Sequence, residues 1–193
     1  MKLAVVAMAL TILSAGQTQA SCPSFKITRS ATLARDINGI SLGMRLADVN
    51  QIAPVSHLAF NTYSLEMNDI KYTVEVSPLG RVFQINSAQK LGKFVPDRPF
   101  AAKLTAKLVA KYGKPRLNEL PGAPAIWSVT EPVDFPNTGT VPRTTNYFSA
   151  MLSSSNDGEV VLDLMMQDFR ILWQDRAKLN CAPARKGGRR THF

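Results

Sequence analysis

Lys103, Lys107 and Lys111 are the residues of this chain whose type and spacing point most plainly to chemistry. On a helix, positions i, i+4 and i+8 share one face, so their ammonium groups line up along it. Like charges at that spacing slightly destabilise a helix, so the row is not a stabilising device. Lys114 and Arg116 extend it past the helix end. From Lys90 to Arg116 eight basic residues stand against a single acid, Asp97. The expected chemistry is anion binding by Lys103, Lys107, Lys111, Lys114 and Arg116. The competing reading is a solvated lysine-rich helix face.

Other chemistry is thinly supported. A Ser-His-Asp or Cys-His apparatus would rest on His57, because the other histidine, His192, lies in a basic tail. No Gly-x-Ser-x-Gly elbow surrounds a serine. His57 follows a helix end, where a capping or boundary role is the plainer expectation. Glu66, Asp69 and Glu75 cluster around one hairpin and would suit paired-carboxylate chemistry, or simply a solvated strand face. Metal ligands are scattered, with no Asp-x-Asp calcium pattern, and Gly187-Gly188 lies in the tail. Trp127 and Trp173 read as packing residues rather than sugar platforms. No catalytic residue, metal or cofactor is expected.

The elements that must position these residues follow from periodicity and punctuation. Leu46, Val49 and Ile52 recur at helical spacing, and Pro54 stops that helix. Tyr63, Leu65 and Met67, then Tyr72, Val74 and Val76, alternate with polar residues across an Asn68-Asp69 turn. Pro78-Leu79-Gly80 turns the chain into Val82–Ile85, completing a three-stranded antiparallel meander with one polar face. A second helix begins at Asp97 and Pro99, carries Phe100, Leu104, Leu108 and Tyr112 as its apolar stripe, and stops at Gly113 and Pro115. Strands are expected at Ala125–Thr130, Thr145–Leu152 and Glu159–Gln167, then a closing helix around Phe169–Leu179. The strand from Val160 to Met166 is apolar on both faces, which predicts a central position. Residues 23–40 read as irregular, ending in an Asn38-Gly39 turn. Residues 131–142 hold three prolines and a glycine and read as a loop that presents Phe135 as a contact surface. Aligning Pro54 with Pro115 offsets two helix-then-three-strand units by 61 residues.

The expected fold class is α+β, two helix-plus-antiparallel-meander halves packed as one unit. The divisions are a signal peptide at 1–20, halves at 21–96 and 97–181, and a basic disordered tail at 182–193. Residues 1–20 carry Lys2, an apolar run from Leu3 to Leu13 and a small polar stretch ending Thr-Gln-Ala, the layout of a cleaved export signal. About 11 apolar residues are too few to span a bilayer, which takes roughly 20. The expected address is the periplasm or the exterior. In that oxidising setting the two cysteines, Cys22 and Cys181, read as one disulfide joining the ends of the mature chain, worth up to about 5 kcal/mol. Lipidation of Cys22 is the weaker reading, since Gln19 stands where a lipoprotein signal carries a leucine-like residue. The formal net charge of +9 favours polyanionic partners. For an exported chain those are anionic lipids, acidic glycans or an envelope protein, with peripheral membrane contact open and nucleic acid excluded by location.

Gly39-Ile-Ser-Leu-Gly-Met44, running into Leu46, Asp48 and Val49, resembles the Gly-Met helix start of the small SmpA/OmlA outer-membrane lipoproteins. It is similar too in secreted modules with the fold of the β-lactamase-inhibitor proteins. The resemblance implies a short helical layer on an antiparallel sheet, in tandem copies, and carries over no functional residue. The functional expectation is an exported, non-catalytic binding module of the bacterial cell envelope that uses a sheet face and the basic helix. The alternatives are a secreted inhibitor or effector of another protein and, behind it, a small hydrolase built on His57.

Overall fold

The computed structural model describes residues 35–115, 125–135, 139–154 and 157–181. In chain order the elements are β1 (Asp36–Ile37), β2 (Ile40–Ser41), α1 (Leu46–Ile52), β3 (Ser56–Ala59), β4 (Thr62–Met67), β5 (Ile70–Val76), β6 (Val82–Lys93), α2 (Arg98–Tyr112), β7 (Ala125–Phe135), β8 (Gly139–Ser154), β9 (Glu159–Asp168) and α3 (Phe169–Cys181). β1 and β2 form a small hairpin. The other seven strands make one antiparallel sheet in the order β3-β4-β5-β6-β9-β8-β7. The fold class is α+β, and its sheet is antiparallel throughout.

Local chemistry explains the boundaries. Asp97 caps α2 by accepting a 2.8 Å hydrogen bond from the Phe100 backbone N–H, with Pro99 in the first turn where no N–H is needed. Gly113, at φ +83°, ends the helix. Asn68 and Asp69 both adopt positive φ in the two-residue link from β4 to β5, the geometry of a hairpin turn that asparagine and aspartate tolerate.

Register assigns every strand residue a face. Tyr72, Ser87, Leu164, Ala150 and Ala125 lie opposite one another across five strands, and so do Val74, Ile85, Met166 and Phe148. This set faces the helices. Val74, Ile85 and Phe148 are almost wholly buried, in one core with Val49 of α1, Leu108 and Tyr112 of α2, and Ile171 of α3. Tyr112 stacks on Phe148 with ring centroids 4.0 Å apart. The side chains of the intervening positions, Lys71, Thr73, Asn86, Met165 and Ser149 among them, face the other way, where no described element covers them.

Two buried ion-pair systems fasten α3. Asp168 accepts the Arg170 backbone N–H at 3.0 Å, pairs with the Arg170 guanidinium at 3.1 Å and meets Arg35 at 2.7 Å. Two turns on, fully buried Asp175 accepts from Ser77 and from Arg81, whose Nε and Nη2 reach its two oxygens at 2.9 and 2.5 Å. The second pair ties α3 to the turn between β5 and β6.

The structure corrects four expectations. Residues 131–135 and 139–142 are not irregular. They extend β7 and β8 into a two-stranded ribbon in which Pro132 lies opposite Pro142. These prolines lie where no other described strand flanks the ribbon, since β7 is at the sheet edge and β9 pairs with β8 only from Asn146 onward, and edge strands are where a sheet tolerates proline. The side chain of Phe135 lies outside the described residues. Within the stretch read as irregular, residues 36–41 form the β1–β2 hairpin around Asn38-Gly39, too short to show a period. His57 does not cap a helix; it belongs to β3, an added strand whose four residues are all exposed. Finally, β9 is central but its two faces differ, one buried and the other half-exposed.

Candidate functional site

The uncovered face of the sheet holds a hollow of about 670 Å³ reaching from β4 to β8. Its rim and floor mix hydroxyl and amide groups (Ser64, Thr73, Asn86, Ser149) with large apolar side chains (Tyr147, Met151, Met165). Met151 is 43% exposed, although β8 offers it no reason to be apolar. Methionine and tyrosine on a polar-phase position give adaptable contact area rather than core. Asp163 stands in the hollow and accepts a 2.9 Å hydrogen bond from Ser153. Burial pushes the Glu75 carboxyl, on the same face of β5, above its ordinary range. Gln167 donates to Gln84 across the β6–β9 seam. The surface is polar and satisfied at its margins and apolar toward β8 and β9.

The basic residues singled out by spacing occupy a different side of the molecule. Lys103, Lys107 and Lys111 are exposed along one face of α2, while Leu108 is buried and Phe100 and Leu104 are half-buried beneath. The three lysines are not equivalent. Lys111 donates to Asp36 at 2.8 Å and sits 5.3 Å from the Tyr112 ring centroid. Partial burial alone would lower its pKa, but the Asp36 hydrogen bond and nearby charge outweigh this and raise it. Lys103, Lys107 and Lys114 form no ion pair among the described residues. Arg116 lies outside those residues. Because α2 packs on the covered face through Tyr112 and Phe148, the basic row and the hollow point away from each other.

The remaining sequence candidates separate. His57 bonds through Nε2 to the Phe60 carbonyl oxygen at 3.0 Å, with its ring 5.1 Å from that of Tyr63. Serine and carboxylate groups in triad geometry are absent around it among the described residues. Glu66 lies across from Lys71, and Glu75 across from Gln84, so the acids of that hairpin do not converge. Nor does any group of three or more His, Cys, Asp or Glu side chains come together among the described residues. Trp173 stacks loosely on Phe169, centroids 6.0 Å apart. Cys22 and His192 lie outside the described residues, as does the side chain of Cys181.

Sequence reasoning missed the hollow, because five strands build it and no short segment reports it. One signal was present: Met151 and Met165 occupy positions where alternation calls for polar residues. Compared with known protein families, curated proteins and solved structures, the chain matches none.

Proposed function

We propose that this chain is an exported, non-catalytic binding module of the bacterial cell envelope that docks a partner protein on the uncovered sheet face. The observation that carries this reading is the one-sided sheet: seven strands, the described helices all on one side, and a methionine- and tyrosine-bearing hollow on the other. Interfaces favour aromatic residues and methionine at their centre with a polar surround, and the hollow has that composition. The export signal at 1–20 and a Cys22–Cys181 disulfide belong to the same proposal. So does a tandem origin: two helix-plus-meander halves that meet last strand to last strand where β6 pairs with β9, with β3 an addition to the first. The SmpA/OmlA-like helix start is consistent with it. Gly43, at φ +91°, bonds through its N–H to the Val82 carbonyl at 2.7 Å and so seats α1 against β6.

A second reading uses the same hollow, in a secreted inhibitor or effector that grips a foreign protein. The two differ in where the partner is found. The test is photo-crosslinking in intact cells, with the photoreactive group at position 151 or 165 and, as control, at 178 on the helix side. Adducts with one envelope protein from 151 and 165 alone support the module. Adducts only on addition of another organism's proteins select the inhibitor. Equal labelling from 178, or none anywhere, overturns docking on this face.

A further inference from the structure

The outer face of α2 carries a pattern that the row of lysines only half describes. The dipeptide Ala-Lys recurs at 102–103, 106–107 and 110–111, and all six residues are exposed. Two stripes therefore run side by side, one of methyl groups and one of ammonium groups. Successive steps rise about 6 Å along the axis. No acid occurs within α2 to neutralise them, and Lys103 and Lys107 have no ion-pair partner among the described residues.

The turn that leads into the helix adds an independent observation. Phe94 is half-buried and meets Phe100 edge to face, 4.8 Å between centroids at 72°. That contact turns the next residue outward, and Val95 is 90% exposed. Lys93 and Arg98 flank it, both exposed. An apolar tip flanked by two cations, of which Lys93 pairs loosely with exposed Asp157 at 3.6 Å, precedes the row of lysines along the chain.

Charge is also segregated across the sheet. Among the described side chains of β4, β5, β6 and β9, the uncovered face carries Glu66, Glu75, Glu159 and Asp163 against Lys71 and Lys90, in a chain whose formal net charge is +9. An anionic surface is thus attracted by the helix side and not by the hollow.

We propose that α2, with the Lys93–Arg98 turn before it, is a second docking surface, for the anionic headgroups of a phospholipid bilayer, Val95 entering the headgroup layer. The bilayer fits better than a discrete anion or an acidic protein. The cations form an extended row of about 12 Å from Lys103 to Lys111 rather than a cluster converging on one point. The alanines let a plane approach while the lysine stems lie along it. Val95 gains from burial only if the surface has an apolar interior. A chain seated this way holds its hollow away from the membrane. This inference stands apart from the sheet-face reading, since the two surfaces share no residue.

The test is co-sedimentation of the mature chain, residues 21–193, with phosphatidylglycerol–phosphatidylcholine vesicles and with pure phosphatidylcholine vesicles, at low and physiological salt. Anionic vesicles should bind the chain, more strongly at low salt. A lysine near an anionic surface is worth about a fivefold change in affinity, so the double variant K103Q/K107Q should bind roughly 25-fold more weakly. Val95→Asp should weaken binding and Val95→Leu retain it, while Lys71→Gln, on the uncovered face, should change nothing. Circular dichroism confirms that each variant is folded. Equal binding by K103Q/K107Q, equal binding to neutral vesicles, or an equal loss in Lys71→Gln would overturn the proposal. Binding to polyphosphate as tight as to vesicles, and indifferent to Val95, would assign the row to soluble polyanions and overturn the bilayer. Failure of vesicle binding leaves the crosslinking result on the hollow unaffected.

Discussion

The two faces of the large sheet are made from the same strands and differ in almost everything else. Along β5, Ile70, Tyr72 and Val74 point into the core and are buried, while Lys71, Thr73 and Glu75 point out. On the helix side, packing leaves little freedom: Val74, Ile85 and Phe148 are at most 1% exposed. On the other side, methionine, tyrosine, serine and asparagine share a hollow that contributes nothing to the core. Residues one position apart in sequence therefore answer to different demands: one is fixed by packing in the core, and its neighbour is free of that constraint.

The largest test of that contrast is a pair of truncations on neighbouring strands. Phe148→Ala removes a ring that is 1% exposed and stacked on Tyr112, and should cost about 4 kcal/mol. Met165→Ala, one residue before the Met166 that faces Phe148, should cost less than about 1 kcal/mol, because its side chain already borders solvent. Urea unfolding midpoints measure both. Comparable losses would mean the uncovered face is structural after all.

The next largest effect concerns how the helix layer is held. Arg81→Ala leaves the fully buried Asp175 with Ser77 as its one side-chain hydrogen-bond donor among the described residues, and should cost about 3 kcal/mol. Burial by itself would raise the Asp175 carboxyl, but hydrogen bonds from Arg81 and Ser77 outweigh it and hold the pKa below the ordinary value. A depressed folded pKa gives stability that is present above the unfolded value near 3.9 and is lost as pH falls through the folded one. The gap in unfolding free energy between the native chain and Asp175→Asn should hence be constant from neutral pH down to about 5, then narrow below pH 4. A gap that stayed constant to pH 3 would show that the carboxylate is not what Arg81 holds.

How much of this was legible in the sequence depends on range. Asp97, Pro99 and Gly113 act within one helix turn, and the structure uses each where its local chemistry predicts. Asn68-Asp69 likewise needs only its two flanking strands. β3 escaped because Ser-His-Leu-Ala is exposed throughout and so has no inside-outside alternation to read. The β7–β8 ribbon escaped because proline normally ends pairing, and only the strand order shows that no other described strand flanks the ribbon. The α2 lysines were visible as a period of four, but Lys111 differs from its neighbours through Asp36, which is 75 positions distant. The hollow needs the β6–β9 pairing, which joins residues about as far apart, and no local pattern encodes it.

A smaller effect separates those lysines. Lys111→Gln gives up the Asp36 pair, in which both side chains are more than a third exposed, and should cost no more than about 1 kcal/mol. Lys103→Gln should leave stability unchanged within about 0.5 kcal/mol, since no ion pair is lost and one repulsion is removed. Thermal unfolding of the two single variants at low salt makes the comparison. Equal destabilisation would show that Lys103 has a structural partner too.

The smallest expected change lies at the sheet's edge, which belongs to neither face. Phe60 begins the two-residue link from β3 to β4 at φ +48°, a left-handed conformation that costs a side chain with a Cβ about 1–2 kcal/mol. It is 97% exposed, so no burial offsets that cost. Hairpins of this length that take positive φ at the first link position favour glycine there. Glycine returns about 0.5–1 kcal/mol to the unfolded chain as entropy. Phe60→Gly should accordingly raise stability by about 0.5 kcal/mol, in contrast to every truncation on the covered face. Because the His57 ring donates through Nε2 to the Phe60 backbone carbonyl rather than to its side chain, that hydrogen bond survives the change. A measured loss of 1 kcal/mol or more would mean that the exposed ring is held by contacts within the folded chain, and that the edge belongs with the core.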